Sequence, residues 1–196
     1  MCVILSAEEA RLTEEQVIRA IASNRDGNGF AWIDEGVVHF AKGVSPRTAR
    51  RLAVTLPLPY VFHARIATVG GVRPELCHPF PLDRRLRPAT LRGTSTKGVL
   101  FHNGHWSEWR DYVRPAGRGP WSDSRGMAQL VSEFGPDAID LVVPDHQKVV
   151  LLTRQGVTRY GVGWSEVEPG IWASNRHWLY GHSCDPRLST TRLAIA

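Results

Sequence analysis

The chain has 196 residues, of which 42% are hydrophobic and 22% are charged. These values are ordinary for one globular domain with a sizeable core. No apolar run approaches the roughly 20 residues of a membrane span, and no basic segment followed by a long apolar one marks a signal peptide. We therefore expect a cytoplasmic protein without a membrane partner.

The net charge is +5, from 24 basic and 19 acidic residues. Much of it lies in two arginine clusters, which are Arg47, Arg50 and Arg51, and Arg84, Arg85 and Arg87. Such runs can contact phosphates, but they more often form solvated surfaces, and no nucleic-acid-binding motif lies beside them. We expect no nucleic acid partner.

The three cysteines are Cys2, Cys77 and Cys184. An odd number at this spacing matches neither a disulfide framework nor a zinc ribbon. Cys77-His78 resembles half of a metal site, but no second pair lies at ligand spacing. We therefore expect no metal and no cofactor.

The chain opens with strand and helix signals. Residues 2–6 are short, apolar and β-prone, which predicts a central strand. Thr13 and Gln16 have the spacing of a capping box, and apolar residues follow at helical spacing. A helix is therefore predicted to begin after Thr13.

A hairpin and a second helix follow the turn-rich segment 24–29. Residues 30–34 and 37–42 are predicted to pair across Glu35-Gly36. Ser45 is suited to cap a helix that has Pro46 in its first turn and ends before Pro57.

The middle of the chain contains two predicted strands separated by a long loop. The first strand is predicted over Tyr60 to Thr68, and residues 72–96, rich in Pro and Arg, are predicted mostly as loop. That loop includes a short strand near residues 78–82. The second strand covers residues 98–102 and ends at Asn103-Gly104, a strong turn pair.

The last third of the chain mixes helices and strands. Ser122 or Asp123 is predicted to cap a helix that runs to about Phe134. The other predictions are a helix over 106–112, a Gly/Pro loop over 115–120, a short helix over 136–142, a hairpin of 148–153 with 157–160, and a last strand over 171–174.

The order of these elements predicts an α+β fold. Hairpins near both ends, without regular βαβ alternation, favour largely antiparallel sheets with helices outside. No internal repeat or linker divides the chain. We therefore predict one domain over residues 1–180 and a weakly patterned C-terminal tail over 181–196.

Cys2 is the residue best suited to covalent chemistry. If Met1 is removed, Cys2 carries both a thiol and a free α-amine. A thiolate is a strong nucleophile, and an α-amine with a pKa of about 7.7–8.0 is partly neutral at pH 7 and can act as a base. One residue could then serve as nucleophile and base.

Five later segments form a pattern with Cys2. They are the segment from His63 to Thr68 (HARIAT), His78-Pro79-Phe80, the segment from Phe101 to Gly104 (FHNG), the segment from Trp121 to Ser124 (WSDS) and the segment from Gly170 to Ser174 (GIWAS). In this order, and together with an N-terminal Cys, they resemble the class II glutamine amidotransferase domain. The resemblance covers nearly the whole chain.

The resemblance implies a fold and an activity. The fold would be the four-layer αββα sandwich of two mainly antiparallel sheets found in N-terminal-nucleophile (Ntn) hydrolases. The activity would be glutamine hydrolysis through a γ-glutamyl thioester on Cys2, with release of ammonia. Because a chain of 196 residues leaves no room for a synthase domain, we expect a separate synthase or ligase partner that accepts the ammonia.

The matched residues also suit individual roles. Asn103 and Gly104 offer two N–H donors for an oxyanion on one turn. Arg65 has a planar fork that matches the α-carboxylate of glutamine, and Asp123 can accept from its α-ammonium. By resemblance, Thr68 and His102 complete the substrate-binding residues.

Two other functions remain open. The same residues recognise the glutamyl half of a substrate, so the protein could be a γ-glutamyl amide hydrolase with a larger leaving group. It could also be an inactive copy of the fold that serves as a structural or nucleic-acid-binding subunit, with the arginine clusters as its contact surface.

Overall fold

The structure, a computed structural model, describes residues 2–68, 71–83, 90–115 and 119–180. Several predicted features lie outside these residues. They are the removal of Met1, the arginine cluster at 84–87, part of the Gly/Pro loop at 115–120, Cys184 and the tail over 181–196.

The described residues form a mixed α+β fold, as predicted. The helices are α1 (Glu14–Ser23), α2 (Pro46–Thr55), α3 (Trp109–Tyr112), α4 (Asp123–Phe134), α5 (Ala138–Val142) and α6 (His177–Tyr180). The strands are β1 (Val3–Ala7), β2 (Asn28–Asp34), β3 (Val37–Lys42), β4 (Tyr60–Ala64), β5 (Phe80–Pro81), β6 (Arg92–Ser95), β7 (Val99–Asn103), β8 (Lys148–Thr153), β9 (Gly156–Tyr160), β10 (Ser165–Glu168) and β11 (Ile171–Ala173). A 3-10 turn covers Pro74–Leu76.

The strands form two antiparallel sheets. The larger sheet has the order β10-β11-β1-β4-β2-β3-β6, and the smaller has the order β5-β7-β8-β9. β1 lies near the middle of the larger sheet between β11 and β4, which confirms the predicted central strand. Both predicted hairpins are present, β2 with β3 and β8 with β9.

Local signals explain several of these elements. The Thr13 side chain accepts from the Gln16 main-chain N–H, and the Gln16 side chain accepts from the Thr13 N–H, so the predicted capping box is formed. Ser45 caps α2, as predicted. The turn between β2 and β3 places Glu35 at φ 48° and Gly36 at φ 74°, a geometry that matches the twist of a tight hairpin.

Some predicted boundaries were wrong. β4 ends at Ala64 instead of Thr68 because the chain then bonds to the loop before β2. The Arg65 main-chain N–H donates to the Gly27 carbonyl, and the Ala67 main-chain N–H donates to the Asp26 carboxylate at 2.7 Å. β6, β10 and α6 were not predicted. The sequences of β6 and β10 carry no hydrophobic period, and α6 has only four residues, too few to show a helical one.

Apolar side chains form three clusters that follow the two faces of each sheet. One face of the larger sheet packs against α1 and α2, for example through Val3, Ala64 and Val17. Its other face packs against the smaller sheet, for example through Ile4 and Phe101. The remaining face of the smaller sheet packs against α3, α4 and α5.

In the part of the chain that the structure describes, no helix is long and apolar enough to cross a membrane.

Candidate active site

The residues predicted to carry chemistry meet at one end of the two sheets. Cys2 precedes β1 and Arg65 follows β4, and these strands pair with Val3 opposite Ala64. Cys2 and Arg65 therefore lie side by side. β7 ends at Asn103 and α4 begins at Asp123, so the smaller sheet and its helix supply the opposite wall.

A small pocket joins these elements. Its lining residues are Cys2, Arg65, Ile66, Thr68, Leu76, His78, His102, Gly104, Ser122, Asp123 and Ser124. The enclosed volume is about 20 Å³, which is room for about one water molecule. A substrate of the size of an amino acid would therefore require the wall to move outward.

Two segments distant in sequence hold Cys2 in place. Its Sγ lies 3.4 Å from both the main-chain N and the main-chain O of Ile66. Its carbonyl accepts from the Asn175 side chain at 2.8 Å. Burial raises the pKa of the Cys2 thiol, and the Ile66 N–H opposes that rise only in part because it favours the thiolate.

Arg65 is 4% exposed. Its Nη1 donates to the Gly71 carbonyl at 2.9 Å, so the guanidinium binds the loop that follows it. A carbonyl is a neutral acceptor, and a carboxylate in the same position would bind a guanidinium more strongly. The contact is therefore one that an anionic group can replace.

The hydrogen bonds of His102 define its tautomer. The Gln147 side chain donates to the His105 carbonyl at 2.8 Å, which leaves its Oε1 facing His102 Nε2 at 2.7 Å. Since Oε1 can only accept, Nε2 carries the proton. Nδ1 then accepts from the Ser124 hydroxyl at 3.0 Å. Burial lowers the pKa of His102, in agreement with a neutral ring.

Asp123 is buried at the first turn of α4. Ser122, and not Asp123, caps the helix by accepting from the Arg125 N–H at 3.2 Å. The Asp123 carboxylate accepts from the main-chain N–H groups of Trp106 at 3.0 Å and Ser124 at 2.8 Å. A carboxylate has about four lone-pair positions, so it retains capacity for a cationic ligand.

Asn103 and Gly104 occupy different positions at the turn. Gly104 lines the pocket, and a Cβ there would lie 2.8 Å from both Gln147 Oε1 and His102 Nε2, so the close approach requires glycine. Asn103 is 6% exposed and is not among the lining residues, and its Nδ2 donates to Ser174 Oγ at 2.8 Å.

Two buried histidines lie at the pocket, His78 in its lining and His63 in contact with His78. The rings of His63 and His78 are tilted by 34° with their centroids 3.9 Å apart, and none of their ring nitrogens has a hydrogen-bond partner among the described residues. The main chain of His102 slightly favours the charged form of His63, but burial outweighs it and lowers the pKa to about 3. Both rings are therefore neutral at pH 7.

A larger cavity of about 560 Å³ lies on the opposite face of the larger sheet. Asn28 lines this cavity and lies opposite Ala64 in the pairing of β2 with β4. Ala64 lies opposite Val3 in the pairing of β4 with β1, and both are on the face that packs against α1 and α2. Directly opposed residues share a face and successive residues alternate, so Cys2 and Arg65 point to the other side. This cavity and the Cys2 pocket share no lining residue, although Leu76 lines the pocket and its neighbour Cys77 lines the cavity.

The structure thus brings together six of the seven predicted site residues around one pocket: Cys2, Arg65, Thr68, His102, Gly104 and Asp123. Asn103 is adjacent but points to Ser174. Four other contributors had no predicted role: Ser124, Gln147, Ser174 and Asn175. Ser124 and Ser174 lie in the recognised segments, but Gln147 and Asn175 act across 45 and 173 residues and carry no local signal.

Among the described residues, no group of three or more His, Cys, Asp or Glu side chains is arranged to hold a metal ion. No protein-family model matches the chain, and no curated protein matches it at a significant level.

Proposed function

We propose that the protein is an N-terminal-nucleophile amidohydrolase and acts as a glutamine amidotransferase subunit, with Cys2 as nucleophile after removal of Met1. One observation carries the proposal: Cys2 shares a pocket with a buried Arg65 and a buried Asp123. A nucleophile, a cation and an anion within one small site suit a substrate that has an amide, a carboxylate and an ammonium.

The first half of the reaction forms a thioester. The neutral α-amine of Cys2 takes the thiol proton, and the sulfur attacks the side-chain amide carbon of glutamine. Asn103 and Gly104 stabilise the tetrahedral oxyanion. The C–N bond then breaks, the nitrogen takes the proton from the α-ammonium, and ammonia leaves.

The second half releases glutamate. Water gives a proton to the α-amine and adds to the thioester carbon, and the same two donors stabilise the second oxyanion. The C–S bond breaks, glutamate leaves, and the proton returns to sulfur.

Substrate binding exchanges contacts already present in the pocket. The α-carboxylate of glutamine replaces the Gly71 carbonyl on Arg65, and Asp123 accepts from the α-ammonium. Since the pocket holds only about 20 Å³, the wall formed by residues 66–68 must move outward as the substrate enters. Thr68, exposed at the rim, contacts the substrate as this segment closes again.

His102 lines the pocket and supports the residues beside it. Both of its ring nitrogens bind protein groups, so it orients Gln147 and Ser124 beside Gly104 and Asp123. It thereby holds the two binding elements at a constant separation.

The wider architecture supports the family assignment. Two antiparallel sheets packed face to face, with helices against each outer face, are compatible with the four-layer αββα sandwich of Ntn hydrolases. As an amidotransferase subunit, the protein would deliver ammonia to a separate synthase or ligase in the cytoplasm.

The test is a glutaminase assay of the purified protein with mass determination of its N-terminus. We expect loss of Met1 and production of glutamate and ammonia from glutamine. Cys2→Ala should abolish both products. Cys77→Ala is the matched control, because Cys77 is buried beside the larger cavity, and it should retain activity.

Other outcomes would contradict this proposal. An intact Met1 would exclude the α-amine as base. Hydrolysis of γ-glutamyl peptides but not of glutamine would identify the γ-glutamyl amide hydrolase instead. Strongly salt-dependent nucleic acid binding without hydrolysis of either substrate would indicate the inactive binding subunit.

A further inference from the structure

Ser174 lies between β1, the strand that follows Cys2, and Asn103, which is predicted to bind the oxyanion. Its Oγ accepts from the Ile4 main-chain N–H at 2.9 Å and from Asn103 Nδ2 at 2.8 Å. Ile4 is two residues from Cys2, and the Ser174 N–H donates to the Ile4 carbonyl at 2.9 Å. Asn103 is therefore tied through one hydroxyl to the strand that carries Cys2.

The hydrogen bonds at this junction are incompletely matched. Both lone pairs of Ser174 Oγ are occupied, and within the described ranges no acceptor takes its hydroxyl proton. At the other end of the Asn103 carboxamide, Oδ1 is buried without a hydrogen-bond partner. One donor and one acceptor are thus left unused within the same pair of side chains, and each buried polar group without a partner is costly.

A half-turn of the Asn103 carboxamide satisfies both groups. Such a turn exchanges oxygen and nitrogen with little change of shape. Ser174 would then keep the Ile4 N–H as donor and give its own proton to Oδ1. The Asn103 NH₂ would move to the end of the carboxamide that has no protein partner.

We infer that Ser174 is a positioning residue that holds the Asn103 carboxamide by its oxygen, so that the NH₂ is free to bind the oxyanion. The inference rests on the proposed function for its catalytic consequence. The orientation itself follows from the hydrogen bonds around Ser174. The hydroxyl is required because the Ile4 N–H can only donate, so Ser174 must supply the proton for Oδ1.

Substitutions of Ser174 distinguish the hydrogen bond of its hydroxyl to Asn103 from the packing of its side chain. Ser174→Ala removes the proton donor, and we expect kcat for glutamine hydrolysis to fall by about tenfold to a hundredfold, less than the loss of an oxyanion donor outright. KM should change by less than about twofold, since Ser174 does not touch the substrate. Ser174→Thr keeps the hydroxyl and should restore most of kcat. Ser174→Cys keeps the shape with a weaker donor and serves if the alanine variant does not fold.

Two further measurements exclude a general disturbance of the site. The rate of Cys2 alkylation by iodoacetamide needs no oxyanion donor and should stay within about twofold of wild type in every variant. The Asn103→Ala, Ser174→Ala double variant should be no slower than Asn103→Ala, because Ser174 acts only through Asn103. Additive losses, or an unchanged kcat in Ser174→Ala, would overturn the inference.

The orientation can also be read without any turnover. In an isotope-labelled sample, the Asn103 side-chain NH₂ should show no nuclear Overhauser contact with the Ser174 β protons. A strong contact would place the NH₂ on Ser174 and refute the inference. If the wild-type protein hydrolyses neither glutamine nor γ-glutamyl peptides, the proposed function is refuted. The spectrum would still decide the orientation of the Asn103 carboxamide.

Discussion

Lys42 is an ionisable residue that the proposed chemistry does not use. It ends β3, is 3% exposed, and its amine lies 4.4 Å from the centre of the Phe80 ring. No salt bridge joins it to a carboxylate within the described ranges. Burial lowers its pKa from 10.5 to about 7. The folded protein therefore stabilises the neutral amine.

Replacement of Lys42 by Met should stabilise the protein at pH 7. Between pH 7 and 10.5 the unfolded chain binds a proton at Lys42 and the folded chain does not, so wild-type stability should rise with pH across this window. Each pKa unit corresponds to about 1.4 kcal/mol. Urea unfolding at several pH values should show that Lys42→Met loses this slope.

Lys97→Met is the matched control, because it makes the same chemical change at an exposed lysine. It should leave the slope of wild type unchanged. If Lys42→Met and wild type show parallel pH dependence, Lys42 is charged in the folded state and the prediction fails.

At the scale of elements, the contact between α3 and α4 depends on one glycine. Gly126 lies inside α4, where an alanine would normally stabilise a helix by about 0.5–1 kcal/mol. A Cβ at this position would lie 2.5 Å from Cε3 of Trp109. The helix that begins at Asp123 is therefore positioned by close packing against the indole.

We expect Gly126→Ala to destabilise the protein by about 1–3 kcal/mol, because the added methyl overpacks the core. Urea unfolding would measure the effect. Ser132→Ala in the same helix is the control, since its buried hydroxyl has no hydrogen-bond partner among the described residues and its loss should be neutral or slightly stabilising. In a Trp109→Leu background the cost of Gly126→Ala should shrink. An equal cost in both backgrounds would show that the indole is not its cause.

At the scale of the whole molecule, three neutral histidines are fully buried near the junction of the two sheets. Burial lowers the pKa of His63 to about 3 and lowers those of His78 and His102 as well. The unfolded chain would protonate all three near their ordinary value of 6.5. Their burial therefore makes the folded state sensitive to acid.

Stability should fall as the pH drops from 6.5 towards 3. In that window the unfolded state binds more protons than the folded state, and each histidine adds up to about 1.4 kcal/mol per pH unit to the slope. Urea midpoints over this range would measure it. His78→Phe should reduce the slope by about one proton, whereas His177→Gln, at an exposed position, should leave it unchanged. Equal slopes in all three proteins would contradict the prediction.

The parts of the fold that could be predicted are those with local signals. The capping box of α1, the Ser45 cap of α2 and both hairpins depend on residues within a few positions of each other. The edge strands β6 and β10 escaped prediction because their sequences, RGTS and SEVE, lack an apolar period. Their pairing with β3 and β11 decides their conformation, and that pairing is not local.

The candidate site likewise has features that the sequence predicts and features that only the structure shows. The amino-acid sequence by itself determined which groups are present: a thiol at position 2, a guanidinium after an apolar strand, an Asn-Gly turn, and an aspartate at the start of a helix. Side-chain chemistry is a property of the residue, so these assignments needed no structure.

Only the tertiary structure decided how those groups face one another. It placed Cys2, Arg65 and Asp123 around one pocket, paired Arg65 with the Gly71 carbonyl, and linked Asn103 to β1 through Ser174. Arg65 and Gly71 are 6 positions apart, but Asn103 reaches Ser174 across 71, Ile4 reaches Ser174 across 170, and Asn175 reaches the Cys2 carbonyl across 173. Hydrogen bonds over such separations exist only after the sheets have paired and packed, because no local preference of the chain specifies them.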